Sequence, residues 1–397
     1  MELILHLGEG KTGTTSIQKF LSAHASKLLD MGIAYTTDEG VDNHVCLAAR
    51  LGVKVRVSGQ ETAGLKIRCD ELFQCIQQQV KTNDLRAVIL SVEHIFMLDP
   101  LVILDYLKRY FDIGSIHVIA YIRDPVSQYV SRMQQRIKAS FLIVQPHLYA
   151  RDVYSPVRTW VEQLGVHRVH VKPFSRDSLV SSDVLVDFLS QVDSIIGCDL
   201  AASAQTSEYQ EHARLNSGIN VEQMSTVQCF RRIVYPDLNN VLQRRSSRLV
   251  TFFERLNGLG FLGTKPRLKS DVAALILARN SVYIDSLALL YPQFKSIQRS
   301  LEASREPNSL GANAGISRYV SIVDLFVDRS AAVLDFYRFF CLPLRTQDKS
   351  PSVYLNKLSS LLDRCDCQDQ ISDFIGSVAE KAVSQASMKG LAKVEIF

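Results

Sequence analysis

The sequence predicts a doubly wound α/β fold, with a mainly parallel sheet and flanking helices, followed by a C-terminal all-α appendage. Short apolar runs alternate with segments of helical period, which is the pattern of strands and helices in a parallel sheet. The run at residues 115–122 is continuous and apolar, as expected for a strand that is buried on both faces. Beyond a polar, turn-rich segment at 307–315 the spacing is helical only, so we expect a domain at 1–306 and a helical extension at 316–397.

The order of the elements follows from the apolar period and from the turn residues between the runs. Strands are predicted at residues 3–7, 33–35, 86–91, 115–122 and 168–171. Helices are predicted at residues 14–30, 42–51, 69–80, 126–139, 154–164, 178–191, 316–340, 353–362 and 371–383. Because ligands bind at the carboxyl ends of the strands in such sheets, the turns after these strands are the places to look for a site.

Composition and charge are those of an ordinary globular protein. The chain has 397 residues, of which 47% are hydrophobic and 22% charged, with a net charge of only +4. The largest basic clusters, Arg231–Arg232 and Arg244–Arg245 with Arg248, are short and are interpreted as solvated helix faces. We therefore expect no nucleic-acid partner.

The cysteines favour a reducing compartment. Eight cysteines are scattered without a C-x-x-C pair, and the close pair Cys365–Cys367 has no histidine near it, so no metal site is expected. No signal peptide precedes the first strand, and no run of 18 or more apolar residues occurs. We expect a cytoplasmic protein without a membrane span, and the oligomeric state stays open.

The segment ELILHLGEGKTGTTSIQ at residues 2–18 carries most of the functional information. A strand runs into a glycine-rich turn and then into a helix N-terminus, where unpaired backbone N–H groups and the positive end of the helix dipole attract an anion. Lys11 adds a full positive charge. Hydroxyl donors follow at Thr12, Thr14, Thr15 and Ser16.

Two general phosphate-binding motifs fit this loop incompletely. Gly8 and Gly13 have the Walker A spacing, but Thr14 stands where that motif has its lysine, which disfavours a standard nucleoside triphosphatase. The triplet Gly8, Gly10 and Gly13 matches the dinucleotide fingerprint, with Asp38 or Glu39 as the later acid. Four hydroxyl residues at the helix start are unusual for that fingerprint.

A second segment points to another phosphate site. The apolar run at 115–122 ends in Arg123, Asp124 and Pro125, and Pro125 suits the first turn of a helix. Ser131 follows eight residues after Arg123. An arginine offers a fixed fork of donors to a phosphate, and a hydroxyl one to two helical turns away can complete the contact.

Together the two segments closely resemble sulfotransferases that use 3'-phosphoadenosine 5'-phosphosulfate, particularly bacterial, carbohydrate-sulfotransferase-like members. The near-continuous match is HLGEGKTGTTSIQ, joined by the strand–R-x-P–helix arrangement with its later serine. The resemblance implies a P-loop-like fold and this nucleotide as co-substrate. It implies that Arg123 and Ser131 hold the 3'-phosphate, and that the 5'-phosphosulfate is bound by Gly10, Lys11, Thr12, Gly13, Thr14, Thr15 and Ser16.

The chemistry of sulfuryl transfer assigns the remaining roles. Lys11 and the loop N–H groups suit the charge that grows on the leaving oxygen. A sulfuryl group bears less charge than a γ-phosphoryl group, so no metal is required. Glu93, which follows the strand at 86–91, is the first candidate for the base, and His44 and His94 are the alternatives. A lone histidine such as His44 is more often a structural hydrogen-bonding residue.

The acceptor and the adenine contacts are not fixed by the sequence. The R-K-G-x-x-G stretch of cytosolic sulfotransferases is absent, so the adenine contacts stay unassigned. A saccharide, a glycolipid or a small molecule with a hydroxyl or amine is compatible as acceptor. A P-loop-type ATP-dependent kinase, or a nucleotide-binding module of the same fold without turnover, remains the alternative.

Overall fold

The computed structural model describes residues 1–38, 40–55, 62–202, 218–258, 264–298 and 319–327. The strands are β1 (Glu2–Gly8), β2 (Ile33–Ala34), β3 (Ala87–Val92), β4 (Ile116–Ile122) and β5 (Val169–Pro173). The helices in these ranges are α1 (Thr14–Ala23), α2 (Ala25–Asp30), α3 (Val45–Arg50), α4 (Thr62–Thr82), α5 (Pro100–Leu107), α6 (Pro125–Ala139), α7 (Tyr154–Leu164), α8 (Val184–Ile196), α9 (Val221–Val234), α10 (Arg244–Gly258), α11 (Ser270–Leu290) and α12 (Ile322–Leu325).

Several expectations lie outside the described residues. They are Glu39, the linker at 307–315, the pair Cys365–Cys367, the helices at 353–362 and 371–383, and most of the helix at 316–340. Only residues 319–327 of the expected extension at 316–397 are described. The boundary between a domain at 1–306 and that extension therefore stays a prediction.

The predicted fold class, a mainly parallel α/β sheet with flanking helices, is confirmed. Within the described residues the strands form one five-stranded sheet in the order β2-β3-β1-β4-β5, and all neighbours pair in parallel. The apolar runs explain this arrangement, because Leu3, Leu5 and Leu7 point to one face of β1 and Ile4 to the other, and all four are fully buried. Both faces of the sheet are thus covered, as in doubly wound folds.

The chain divides into two compact units. The first contains the sheet and comprises residues 1–125, 150–215 and 280–305. One face of its sheet packs against α1 and α8 in a buried cluster that includes Ile4, Ile17, Ile119, Leu185 and Phe188. This packing fixes the start of α1 against the carboxyl ends of the strands.

The described residues of the second unit are 126–149, 218–258, 264–279 and 319–327. In its described part, α6, α9, α10 and α11 share an apolar core around Tyr129, Met224, Phe253 and Ile276. The prediction that Arg231 lies on a solvated helix face is wrong. Arg231 is fully buried, and its guanidinium donates to the carbonyl oxygens of Ala139 and Leu238 and to Ser246 Oγ. Buried arginine is tolerated when most of its donors are paired in this way.

The element boundaries differ from the predictions at several places. The helix expected at 14–30 is divided into α1 and α2 at His24, and α4 begins at Thr62 instead of residue 69. The helix expected from residue 178 begins at Val184, because the Asp183 side chain accepts the N–H groups of Leu185 and Val186. No helix bounds were predicted for α5, α9, α10 or α11.

Among the described helices, α11 has the length and the apolar composition that a membrane crossing would need. This is weak evidence, since the core helix of a globular protein meets the same criteria. Val272, Ile276 and Ile284 on α11 are buried in the structure.

Candidate active site

The loops that leave β1 and β4 lie at the point where the sheet reverses its direction of winding. The chain passes from β1 towards β2 on one side, and from β4 to β5 on the other. Because β1 and β4 are neighbours in the sheet, their outgoing loops diverge and leave a crevice at the carboxyl ends, which is the usual ligand position in such sheets. Both sequence motifs follow these two strands, so the topology brings the loop at 9–13 and Arg123 to the same place.

The loop after β1 is shaped by close approaches and by left-handed backbone. A Cβ at Gly8 would lie 2.0 Å from the Thr14 side chain, so only glycine fits there. Gly13 has φ of 77° and would contact Val184, and it forms the N-cap of α1 without a side-chain capping hydrogen bond. Lys11 has φ of 75°, which is uncommon for a residue with a Cβ. Backbone N–H groups at the start of α1 are thus not covered by a capping side chain.

The four hydroxyl residues of the motif fall into two groups. Thr12 is buried, and its Oγ1 donates to the carbonyl oxygen of Glu9 at 2.6 Å, so this hydroxyl braces the loop. Thr14 is also buried, and its hydroxyl donates to the carboxylate of Glu93. Thr15 is exposed and Ser16 is half-buried. The hydroxyls of Thr15 and Ser16 are therefore the better placed of the four for a ligand.

Glu93 lies directly after β3 and beside the loop. The register of β1 and β3 pairs Leu7 with Val92, which sets Glu93 next to Gly8. Its side chain is half-buried, and Oε1 accepts the Thr14 hydroxyl. That bond fixes the orientation of the carboxylate next to the start of α1. His94 follows and is exposed.

Arg123 lies against the glycine loop. Its Nη1 donates to the carbonyl oxygen of Lys11 at 3.0 Å, and its guanidinium lies 5.3 Å from the centre of the Phe174 ring. Burial lowers the pKa of Arg123, and the nearby carboxylates of Asp124 and Glu9 oppose that shift. Ser131 lies on α6, in the second unit, and is 8% exposed. A joint contact of Arg123 and Ser131 with one phosphate stays a prediction.

The contacts of His44 argue against a role as base. The side chain is fully buried, its Nε2 donates to the carbonyl oxygen of Thr36 at 2.9 Å, and its Nδ1 accepts the N–H of Ser91 at 3.1 Å. Burial lowers the pKa of His44 to about 4. A second ring proton would face the Ser91 N–H group, so His44 serves best as a neutral structural residue.

Two further residues of the motif have structural contacts. His6 Nδ1 lies 2.8 Å from Ser91 Oγ, and Gln18 Nε2 donates to the same oxygen at 3.1 Å. Burial lowers the pKa of His6 to about 3, so this ring is neutral. Ser91 lies two residues before Glu93 and thus ties β1, α1 and His44 to the strand that presents the carboxylate.

We expect the protein to lose stability as the pH falls from 6.5 towards 4, the lowered pKa of His44. In that range the rings of His44 and His6 bind protons in the unfolded chain. In the folded protein the same rings are buried and stay neutral. Each ring then removes up to about 1.4 kcal/mol from the free energy of unfolding per pH unit. Denaturant unfolding at about pH 7 and about pH 5 measures the loss.

Glu9 acts in the opposite sense. Burial raises its pKa from 4.5 to about 6, so Glu9 favours the folded state as the pH falls through that window. His44→Gln should show a weaker pH dependence than the native chain, at lower overall stability. His94→Gln is the matched control, because His94 is exposed, and it should keep the native pH dependence. An unchanged slope in His44→Gln would contradict this account.

Glu9 and Arg151 are two residues of the site that were not predicted from the sequence. Glu9 is 1% exposed, and its Oε1 lies 2.6 Å from Nη1 of Arg151. Its Oε2 accepts the backbone N–H of Arg123 at 2.8 Å. A carboxylate inside a predicted anion loop is itself a signal that a cation lies nearby. No pattern in the sequence identifies Arg151 as that cation.

In the ranges that the structure describes, no group of three or more His, Cys, Asp or Glu side chains is placed to hold a metal ion. No protein-family model matches the chain. No curated protein matches it either.

The fold and the loop together define an α/β protein with an anion-binding type of turn at the carboxyl edge of a parallel sheet. A sulfotransferase from Alicyclobacillus acidocaldarius, known from a crystal structure, resembles part of the chain. The two share 13% sequence identity with a TM-score of 0.34, over 54% of this chain and 90% of that one.

Proposed function

We propose that the chain is a sulfotransferase that moves a sulfuryl group from 3'-phosphoadenosine 5'-phosphosulfate to a hydroxyl or amine of a saccharide, glycolipid or small-molecule acceptor. The observation that carries the proposal is the contact between the two motifs. The Arg123 guanidinium donates to the carbonyl oxygen of Lys11 in the glycine loop. A second cation thus lies beside the anion loop. A sulfuryl-donor nucleotide with two separate anionic groups requires such a second cation.

The hydrogen-bond donors and positive charges of the loop fit such a nucleotide. The start of α1 lacks a side-chain cap and an acidic residue in its first turn, and Lys11 is exposed beside it. These groups suit the 5'-phosphosulfate, because N–H groups and a lysine can surround an anion there. Arg123 suits the 3'-phosphate, and the resemblance adds Ser131 as its partner. The donor nucleotide supplies the activated sulfuryl group.

Lys11 and Glu93 have different roles in the transfer reaction. Glu93 accepts the proton of the acceptor hydroxyl while the acceptor oxygen forms its bond to sulfur. The bond from sulfur to the leaving phosphate oxygen breaks in line, and the electron pair stays on that oxygen. Lys11 and the loop N–H groups stabilise the charge that develops there. The bond from Thr14 to Oε1 of Glu93 orients the carboxylate, so its second oxygen can face the acceptor.

The position of Thr14 separates this proposal from a kinase. In a Walker A loop a lysine would stand there and reach the β- and γ-phosphates. Here the side chain is buried and its hydroxyl is bonded to Glu93, so it cannot serve that purpose. The cation has moved into the loop at Lys11.

We expect adenosine 3',5'-bisphosphate to stabilise the protein more than Mg-ATP or NAD does, and to do so in the presence of EDTA. A ligand that binds only the folded state raises stability by about 2.7 kcal/mol at about 100 times its Kd. Thermal unfolding with each ligand measures the difference. Adenosine 5'-phosphate, which lacks the 3'-phosphate, is the control ligand and should give a smaller shift.

The variant Arg123→Ala checks the same prediction. It should weaken bisphosphate binding by about 1.5–3 kcal/mol, the usual value of a lost charge-assisted contact. It should also discriminate poorly between nucleotides with and without the 3'-phosphate. Equal or greater stabilisation of the native chain by Mg-ATP or NAD would exclude the proposed function. Normal bisphosphate binding by Arg123→Ala would exclude the assignment of Arg123 to the 3'-phosphate.

Turnover decides between an enzyme and a binding module of the same fold. The purified chain is incubated with the radiolabelled phosphosulfate donor and an extract of the host cell. A labelled product that depends on the chain supports transfer, and its identification gives the acceptor class. Bisphosphate binding without any labelled product would favour the binding module.

A further inference from the structure

Glu9 is an unexpected residue at the centre of an anion-binding loop. It stands between Gly8 and Gly10 and is 1% exposed, so water does little to screen its charge. An ionised carboxylate there opposes an anionic ligand. Its presence calls for a compensating cation and for a role that outweighs the repulsion.

Both oxygens of this carboxylate have partners from other segments of the same unit. Oε1 forms the ion pair with Arg151 at 2.6 Å, and Oε2 accepts the backbone N–H of Arg123 at 2.8 Å. The backbone of Arg151 is held in turn, because its backbone N–H donates to Oδ1 of Asn280 at 2.8 Å. Glu9 therefore joins the turn after β1, the turn after β4 and the segment before α7.

The same residue supports the shape of the loop. Its carbonyl oxygen accepts the Thr12 hydroxyl at 2.6 Å, and Lys11, two residues further along the turn, adopts a left-handed conformation. The Lys11 carbonyl oxygen accepts from the Arg123 side chain. Because Arg123 is held through its backbone by Glu9 and through its side chain by Lys11, the two contacts close a ring around the turn.

We infer that Glu9 is a positioning residue for donor binding: with Arg151 it holds Arg123 and the Lys11 turn in the geometry that receives the two anionic groups of the nucleotide. This inference rests on the proposed function. Glu9 acts through Arg123 and Lys11 and does not itself contact the donor.

The charge of Glu9 is part of the arrangement. Burial raises its pKa to about 6, while the Arg151 charge, the Arg123 N–H group and the Arg123 charge oppose that shift and Asp124 adds to it. A neutral carboxyl would lose the ion pair of Oε1 with Arg151 and would resemble the side chain of Glu9→Gln. Bisphosphate binding by the native chain should therefore approach that of the variant as the pH falls below about 6.

The direction of the change in bisphosphate affinity in Glu9→Gln distinguishes a positioning residue from a nearby charge. Glu9→Gln keeps the shape and removes the negative charge. If Glu9 were only a nearby charge, its removal would tighten the binding of an anion. If it positions the loop, calorimetry at about pH 7.5 should show bisphosphate binding weakened roughly 10-fold. At about pH 5.5 the difference in bisphosphate affinity between the native chain and the variant should narrow, because native Glu9 is then largely protonated.

A second readout does not depend on the nucleotide. Amide hydrogen exchange of the free protein, followed on a peptide that covers residues 9–14, should be roughly 10-fold faster in Glu9→Gln than in the native chain. Glu162→Gln is the matched control, because Glu162 forms a surface ion pair with Arg158. It should leave both the exchange and the binding unchanged. If Glu9→Gln does not fold, Arg151→Met takes its place with the hydrogen exchange of residues 9–14 as the deciding readout, because the loss of a cation would weaken anion binding in either case.

The outcomes separate the two proposals. Unchanged loop exchange in Glu9→Gln, or binding that is equal or tighter at about pH 7.5, would overturn the role of Glu9. A native chain that fails to bind the bisphosphate would overturn the proposed function and the donor part of this inference. The exchange measurement would still decide whether Glu9 holds the loop.

Discussion

Replacing Lys11 with alanine is expected to lower the turnover rate by about 10²–10³-fold, while the affinity for adenosine 3',5'-bisphosphate falls much less. The bisphosphate lacks the transferring group, whereas the charge on the leaving oxygen grows only in the transition state. Alanine keeps the Cβ and the carbonyl oxygen, so the left-handed turn and the bond from Arg123 are retained. Transfer of the radiolabelled sulfuryl group and calorimetric binding measure the two effects separately.

Lys19 provides the control for this variant. It lies on α1, five residues beyond Thr14, and is exposed. Lys19→Ala removes an equal charge from an exposed position on α1 without touching the loop, so its turnover should stay near the native value. A Lys11→Ala enzyme that loses affinity but keeps the native turnover rate would show that Lys11 binds the ground state and the transition state alike.

The strands β1, β3 and β4 could be predicted within about two residues because each is a largely buried apolar run, and burial on both faces leaves little choice of structure. The start of α8 could not. Ser178 and Asp183 are both acceptable N-caps, and only the structure shows that Asp183 accepts the N–H groups of Leu185 and Val186. The helix α5 carried a usable signal, because Asp99 precedes Pro100, which favours a helix start there.

The candidate site was predictable where function depends on contiguous residues. The glycine loop and Lys11 belong to one short motif, and the ends of β1 and β4 meet because parallel strands share an edge. Long-range pairing was not predictable. The partner of Glu9 is Arg151, which lies far along the chain and outside both motifs. His44 was indistinguishable from a catalytic histidine until its bonds to Thr36 and Ser91 were known.

Glu93→Gln should lose turnover by about 10²-fold or more while it still binds the bisphosphate. Glutamine keeps the shape of the side chain, and its carbonyl oxygen can still accept the Thr14 hydroxyl that Oε1 accepts in the native chain. What it loses is the ability to take the proton from the acceptor. Radiolabelled transfer to the identified acceptor measures the rate, and thermal unfolding with the bisphosphate measures the binding.

Two further variants show whether that loss belongs to the carboxylate of Glu93 or to its surroundings. Thr14→Val removes the hydroxyl and keeps the carboxylate, so it should cost less turnover than Glu93→Gln if the hydroxyl only orients the base. His94→Gln changes an exposed neighbour and should have a near-normal rate. A near-normal rate in Glu93→Gln together with a large loss in His94→Gln would move the proton transfer to His94. A large loss in Glu93→Gln alone would leave the carboxylate as the base, because turnover would then need neither the Thr14 hydroxyl nor the His94 ring.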